Sequence, residues 1–281
     1  MLRSFIRHKF KLASQSPTLR PLVAKILSVL GPFTRNGVKL VRYNEGWIHY
    51  FESIISCEHE PRLRGYHLLH EFIDETWGML FKPKEGDIVI DVGAGIGSET
   101  LYYANAVGPT GRVIAIEALP EIYKYLETSV RLNEYRHVVP LNCAITEITG
   151  SVIIENDIEN FLGNSIDTSN GGGIKVEAKT LDDVVASQEI KVVDFIKMNI
   201  EGAERSALFG MEQALKKTRI ICISCHDFKY KRTNNPFFKT FDDVETVVKK
   251  AGWKIVYRSS DREEFKYQIN AYNPKLFDPL A

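Results

Sequence analysis

The chain has 281 residues, 36 basic against 36 acidic side chains, and 44% hydrophobic residues. A zero net charge excludes a broadly basic nucleic-acid binder and an acidic solvating chain, and the hydrophobic share excludes wholesale disorder. At this length one large α/β domain, or one domain with an extension, is expected rather than two equal domains.

The charge is unevenly spread. Residues 1–44 carry Arg3, Arg7, Lys9, Lys11, Arg20, Lys25, Arg35, Lys39 and Arg42, and the first acid is Glu45. The remainder holds 27 basic against 36 acidic residues, so a +9 segment precedes a −9 body. Such asymmetry marks residues 1–44 as a basic extension with a task of its own. Three readings stay open. One is a helix that packs on the acidic body. Another is a peripheral membrane helix, with Leu2, Phe5, Ile6, Phe10 and Leu12 among the cations. The third is an organellar leader, since the segment is Arg-bearing, Ser-bearing and acid-free. No apolar run approaches the roughly 20 residues of a transmembrane helix. The stretch from Pro21 to Phe33 is short and broken by Lys25. The chain therefore reads as cytoplasmic or membrane-peripheral.

Residues 45–86 read as a helical cap on the substrate side. Trp47, Tyr50, Phe51, Ile54 and Ile55 stand at helix-like spacing, and a second helix is expected over 66–81. Lys82 to Asp87 form a turn. From residue 87 to the C-terminus, short apolar runs alternate with amphipathic stretches. Strands are expected at 88–92, 113–117, 138–141, 192–198 and 220–225, with helices at 98–106, 120–133, 203–208, 211–216 and 241–251. This alternation predicts an α/β fold with a parallel sheet wrapped by helices on both faces. Two last strands, at 253–258 and 265–271, predict a hairpin joined at 259–262. The polar, glycine-rich stretch 163–173 is a loop, either a lid or a hairpin tip. Four scattered cysteines (Cys57, Cys143, Cys222 and Cys225) are no disulfide framework. Cys222 and Cys225 lie three apart on an expected strand, so their thiols face opposite sides.

The chemistry concentrates at two places. At Asp91-Val-Gly93-Ala94-Gly95-Ile-Gly97 a buried strand ends in a glycine-rich turn that opens a helix, and Glu117 ends the next strand. Glycines let a ligand approach the backbone, and a carboxylate there accepts hydrogen bonds from ribose hydroxyls. The pattern is not the G-x-G-x-x-G/A of dinucleotide sites, because position 98 is Ser. Farther on, Lys197, Asn199 and Glu201 alternate at the carboxyl end of a strand, where open α/β sheets bind ligands. Glu204 reads mainly as a helix cap. His226 ends the following strand on the same rim.

The glycine turn with Glu117 resembles the S-adenosylmethionine (SAM) site of class I methyltransferases. The string Lys197-Met-Asn199-Ile-Glu201-Gly202-Ala-Glu204, after Thr180-Leu-Asp-Asp183, resembles the FkbM family. So do Cys143-Ala144 followed by Gly150, and the strand ending at His226. The resemblance covers residues 68–228. Asn199 stands where that family usually has Asp, and Ser224 near where it often has Glu.

The resemblance implies a seven-stranded Rossmann-like methyltransferase sheet and SAM as cofactor. It implies O-methylation of a hydroxyl on a sugar, glycan or secondary metabolite. Asp91, Gly93, Ala94, Gly95, Gly97, Glu117, Ala118, Asn142, Ala144 and Asn199 would hold the cofactor. His226 is the candidate base, and Lys197 and Glu201 orient the acceptor or each other. A divalent metal on Glu201, Asn199 and His226 is a less favoured arrangement, since the set is carboxylate-poor. A non-catalytic SAM-binding scaffold is the alternative, favoured by Asn199. Nucleic acid is opposed as a substrate by the acidic body. The oligomeric state is not legible.

Overall fold

The computed structural model describes residues 10, 12–33, 38–61, 66–155, 166 and 173–278. After helical residues at 12–15, the described chain forms helix α1 (Arg20–Leu30), then strands β1 (Leu40–Tyr43), β2 (Trp47–Tyr50) and β3 (Ile55–Glu58), and helix α2 (Tyr66–Trp77). There follow β4 (Ile88–Val92), α3 (Ser98–Val107), β5 (Arg112–Ile116), α4 (Pro120–Leu132) and β6 (Val138–Leu141). A short sheet comes next, of β7 (Ala144–Ile145), β8 (Gly150–Ile154) and β9 (Ile174–Lys179). The chain continues through α5 (Leu181–Ser187), β10 (Val193–Met198), α6 (Glu204–Phe209), α7 (Glu212–Lys217) and β11 (Thr218–Ser224). It closes with α8 (Asp227–Thr233), α9 (Phe241–Lys250), β12 (Lys254–Val256), α10 (Glu263–Lys266) and β13 (Gln268–Tyr272).

The central sheet has seven strands in the order β12-β13-β11-β10-β4-β5-β6. β11, β10, β4, β5 and β6 are parallel, and β13 runs antiparallel to both neighbours. Strand alternation sorts the core. Ile90, Val92, Ile114, Ile116, Ile196 and Met198 face one layer of helices; Val89, Val113, Ala115 and Phe195 face the other. Burial on both faces is why these strands read as continuous apolar runs. Cys222 and Cys225 belong to opposite core layers and are both free thiols. The last two strands are antiparallel, as expected. Their connection is longer than 259–262, with Phe265 in α10, and β13 inserts between β11 and β12.

The segment at 40–58 corrects the sequence reading. It is a three-stranded antiparallel sheet, not a helix. Trp47, Ile48 and His49 are buried in succession, which one face of a surface helix does not allow. Asn44-Glu45-Gly46, with Glu45 in a left-handed conformation, turns β1 into β2. The hairpin spans residues 44 and 45, so the charge boundary is not a structural one.

β3 docks on the body. The backbone of Ile55 exchanges two hydrogen bonds with the Asn133 amide (2.9 and 2.6 Å), and the Cys57 amide donates to Ser129 Oγ at 2.8 Å. Both partners lie at the end of α4. Arg3, Arg7, Lys9 and Lys11 lie outside the described residues, as does the 163–173 loop apart from Ile166 and Gly173. No described helix is long and apolar enough to cross a membrane.

Candidate active site

β4 ends in the glycine turn, and Gly93, Gly95 and Gly97 all have positive φ (77°, 57° and 94°). Left-handed backbone is cheap only for glycine, which accounts for the G-x-G-x-G spacing. A Cβ on Gly93 would lie 2.0 Å from the carbonyl oxygen of Asn199. The turn therefore presses directly against the end of β10.

Beneath it lies a buried ion pair. Parallel register sets Lys197 of β10 beside Asp91 of β4. The Lys197 Nζ is 2.9 Å from Asp91 Oδ1 and donates to the Gly93 carbonyl at 2.8 Å. The Thr100 hydroxyl donates to Asp91 Oδ2 at 2.7 Å, which ties α3 to the same carboxylate. Lys197 and Asp91 are 1% and 0% exposed. Burial acts to lower the Lys197 pKa, but Asp91 and Glu99 outweigh it and hold the ammonium charged. Lys197 thus sits under the cofactor turn, not among acceptor-facing residues as the sequence suggested. Its side chain is fully engaged by loop and strand.

Glu117 closes the turn from the side. Its carboxylate accepts from the Gly95 amide (2.9 Å) and from the Leu119 amide (2.8 Å). Burial pushes its pKa up against these bonds. Each oxygen keeps a second lone pair for a ligand hydroxyl. Asn142 braces this corner by donating to the carbonyls of Glu117 (2.8 Å) and Ala118 (3.1 Å).

The result is an open cleft beside the glycine turn. Gly93, Gly95, Glu117, Ala118, Ala144, Asn199 and Glu201 form its wall, with Ile116, Leu119, Cys143, Ile145, Ile154, Ile166, Ile200 and Ala203 as the apolar part. Asp91, Ala94, Gly97, Asn142, Lys197 and His226 are not on that wall. Ile154 and Ile166 carry no motif; the short sheet brings Ile154 there. A second cleft shares Ile166 and Ala203 with the first. It is lined by Thr146, Thr149, Ser151, Ser206, Thr240, Phe237, Arg205 and Lys239, among others.

At the mouth of the first cleft stands another charged cluster. Glu201 and Gly202 both adopt positive φ (56° and 100°), which turns the chain sharply off β10. His226 is 2% exposed. Its Nδ1 lies 2.7 Å from Glu204 Oε1 and its Nε2 lies 3.2 Å from Glu201 Oε2. Lys229, one turn along α8, also pairs with Glu201. Burial opposes the charged ring, yet Glu204 and Glu201 push its pKa up to about 10. Burial likewise tends to raise the Glu201 pKa, but His226 and Lys229 pull it below the usual carboxylate range.

This corrects the reading of His226 as a base. A ring held as imidazolium between two carboxylates has no free lone pair to take a proton. Glu204 is more than a cap: it accepts from the Gly202 amide and the Thr240 hydroxyl (both 3.1 Å) as well as meeting His226. Lys229 had no signal beyond its place three residues after His226. Among the described residues, no group of three or more His, Cys, Asp or Glu is placed to hold a metal ion.

The model of the methyltransferase FkbM domain matches residues 91–255, more than half of the chain. The chain belongs to the FkbM methyltransferase family. Its seven-stranded sheet with flanking helices is a Rossmann-like fold. It is 26% identical over 149 residues to the hexuronic acid methyltransferase AglP of Haloferax volcanii, covering 53% of this chain and 59% of AglP. It is 26% identical over 255 residues to the AMB antimetabolite synthetase AmbE of Pseudomonas aeruginosa, covering 75% of this chain but 12% of AmbE. The chain thus spans less than two thirds of the length of these relatives. Among solved structures, an FkbM methyltransferase from Methylobacillus flagellatus aligns with TM-score 0.44 and 22% identity, over 70% of this chain and 46% of that one.

The first cleft fits SAM. Its apolar wall suits an adenine ring, and Glu117 retains acceptor capacity for ribose hydroxyls.

Proposed function

We propose that the protein O-methylates a hydroxyl of a sugar, glycan or related secondary metabolite. The observation that carries this reading is the pair of clefts that meet at Ala203 and Ile166, with Glu201 on the wall of the first. The first cleft takes the methyl donor and the second takes the acceptor. The second cleft has hydroxyl side chains to meet sugar hydroxyls and the Phe237 ring to cover an apolar sugar face. Arg205 and Lys239 add positive charge, which suits an acidic sugar; Arg205 also pairs with Asp243 at 3.3 Å. The kinship with AglP, named for a hexuronic acid, supports the same class.

SAM supplies an electrophilic methyl group on a sulfonium. The remaining work belongs to this chain. Asp91, Lys197 and Thr100 hold the glycine turn in one shape, so the donor is oriented rather than merely bound. Ile154, Ile166, Ile200 and Ala203 exclude water from the junction. Ionised Glu201 accepts the hydrogen bond of the acceptor hydroxyl and takes its proton. A weak base suffices, because the oxygen becomes strongly acidic once alkylated. His226 and Lys229 are positioning residues that aim Glu201.

The test is incubation with labelled SAM and a panel of neutral sugars, uronic acids and glycolipids, for the wild type and Glu201→Gln. The expected result is label in a hydroxyl of a sugar, reduced in the variant. A second reading, a SAM-binding scaffold without transfer, is favoured by Asn199 on the wall where the family usually has Asp. Tight SAM binding by calorimetry, with no label in any acceptor, selects that reading.

A further inference from the structure

Helix α1 is apolar on two sides. Its inner side, Val23, Ala24 and Leu27, is buried against Val38, Val41 and Trp47. Its outer side carries Leu22, Ile26, Val29 and Leu30, each between 41% and 59% exposed. Their spacing of four, three and one residues makes a single stripe along the helix. Leu19, just before the helix, and Leu12 are exposed in the same way.

The helix is also pinned against rolling. The Ser28 hydroxyl donates to the Ala24 carbonyl at 2.8 Å and accepts from the Val41 amide at 2.9 Å, which fixes α1 to β1. β1 is in turn joined through β2 to β3, which is bonded to α4. The apolar stripe is therefore held outward by the enzyme body. Leaving four large aliphatic side chains in water on one rigid face is unfavourable relative to burying them. A stripe of this kind marks an interaction surface.

Charge identifies the partner. Residues 1–44 hold nine Lys and Arg and no acid, whereas the body carries a net −9. Lys25 is exposed along the edge of the stripe, beside Leu22 and Val29. Another acidic-bodied protein would supply apolar contact but would need its own acid patch. A bilayer of anionic phospholipid supplies both an acyl layer for the leucines and phosphates for the cations.

We infer that the outer face of α1 docks on an anionic membrane surface, with Leu22, Ile26, Val29 and Leu30 in the acyl boundary and Lys25 on phosphate. The helix lies in the plane of the surface and does not cross it. This docking is independent of which acceptor the enzyme methylates.

Flotation of the full chain with phosphatidylcholine vesicles, with and without phosphatidylglycerol, tests it. The wild type is expected to float with the anionic vesicles and to be released by added salt. Leu22→Glu/Ile26→Glu is expected to lower binding at least about tenfold, because two apolar contacts become repelled charges. These side chains are exposed, so calorimetric SAM binding should stay unchanged and certify the fold. Absence of wild-type flotation overturns the inference. So does flotation that the double variant leaves intact. A dimer that the double variant dissociates, with no flotation of the wild type, assigns the stripe to a second copy of the chain instead.

Discussion

Lys197 and His226 are both buried cations held by carboxylates, and they lie on neighbouring strands of one sheet or just beyond its edge. Their surroundings differ in one respect. Lys197, Asp91 and Thr100 form a closed set: each partner lies inside the protein, and the set's free side is the backbone of Gly93. The cluster of Glu201, His226, Glu204 and Lys229 is open at one end, because Glu201 reaches the wall of a cleft. A closed set of buried charges can only hold a shape. An open one presents a polarised group to a ligand. The sequence places Lys197 and Glu201 four residues apart in one motif, yet the two do different work.

Removing the cation from the closed set should have the largest effect. Lys197→Met leaves Asp91 buried without its counter-charge, at a cost of about 3–5 kcal/mol. Denaturant unfolding should show that loss, and calorimetry should show SAM affinity falling with it as the glycine turn relaxes. A variant with normal stability and affinity would break the division between the two clusters.

Gly93→Ala comes next. Its Cβ would meet the Asn199 carbonyl at 2.0 Å on a backbone with φ of 77°. Strain of about 1–3 kcal/mol is expected, read out as weakened SAM binding. Glu201→Gln should cost less stability than Lys197→Met and change SAM affinity little, while turnover falls by roughly 100-fold or more. Equal losses of stability and turnover would instead place Glu201 with the closed set.

The open cluster also sets a pH slope. The folded pKa of His226, about 10, lies above its ordinary 6.5. Its pairing therefore contributes stability in full below pH 6.5, and that contribution is lost as pH rises toward 10. Glu201 is shifted down, so its share is present above its ordinary 4.5 and lost as pH falls below that. Unfolding free energy measured from pH 6.5 to 10 should decline in the wild type and decline less in His226→Gln.

What the sequence by itself determined was local. Apolar runs alternating with amphipathic stretches identified the sheet and its helices, because a strand buried on both faces and a helix buried on one have different periods. The three glycines after Asp91 were legible because only glycine takes that backbone cheaply, and Glu117 because it ends the next strand.

Tertiary structure decided the rest. Trp47, Tyr50, Phe51, Ile54 and Ile55 look helical by spacing, and only pairing among β1, β2 and β3 makes this segment a sheet. The short sheet carrying Ile154 completes the cleft with no motif to announce it. His226 resembled a base until Glu201 and Glu204 were seen on either side of it. Lys197 resembled a substrate contact until parallel register set it against Asp91, 106 positions earlier in the chain. The common reason is that a titratable group takes its role from the charges and the solvent around it. Those neighbours come from distant parts of the chain, so residue spacing alone does not carry them.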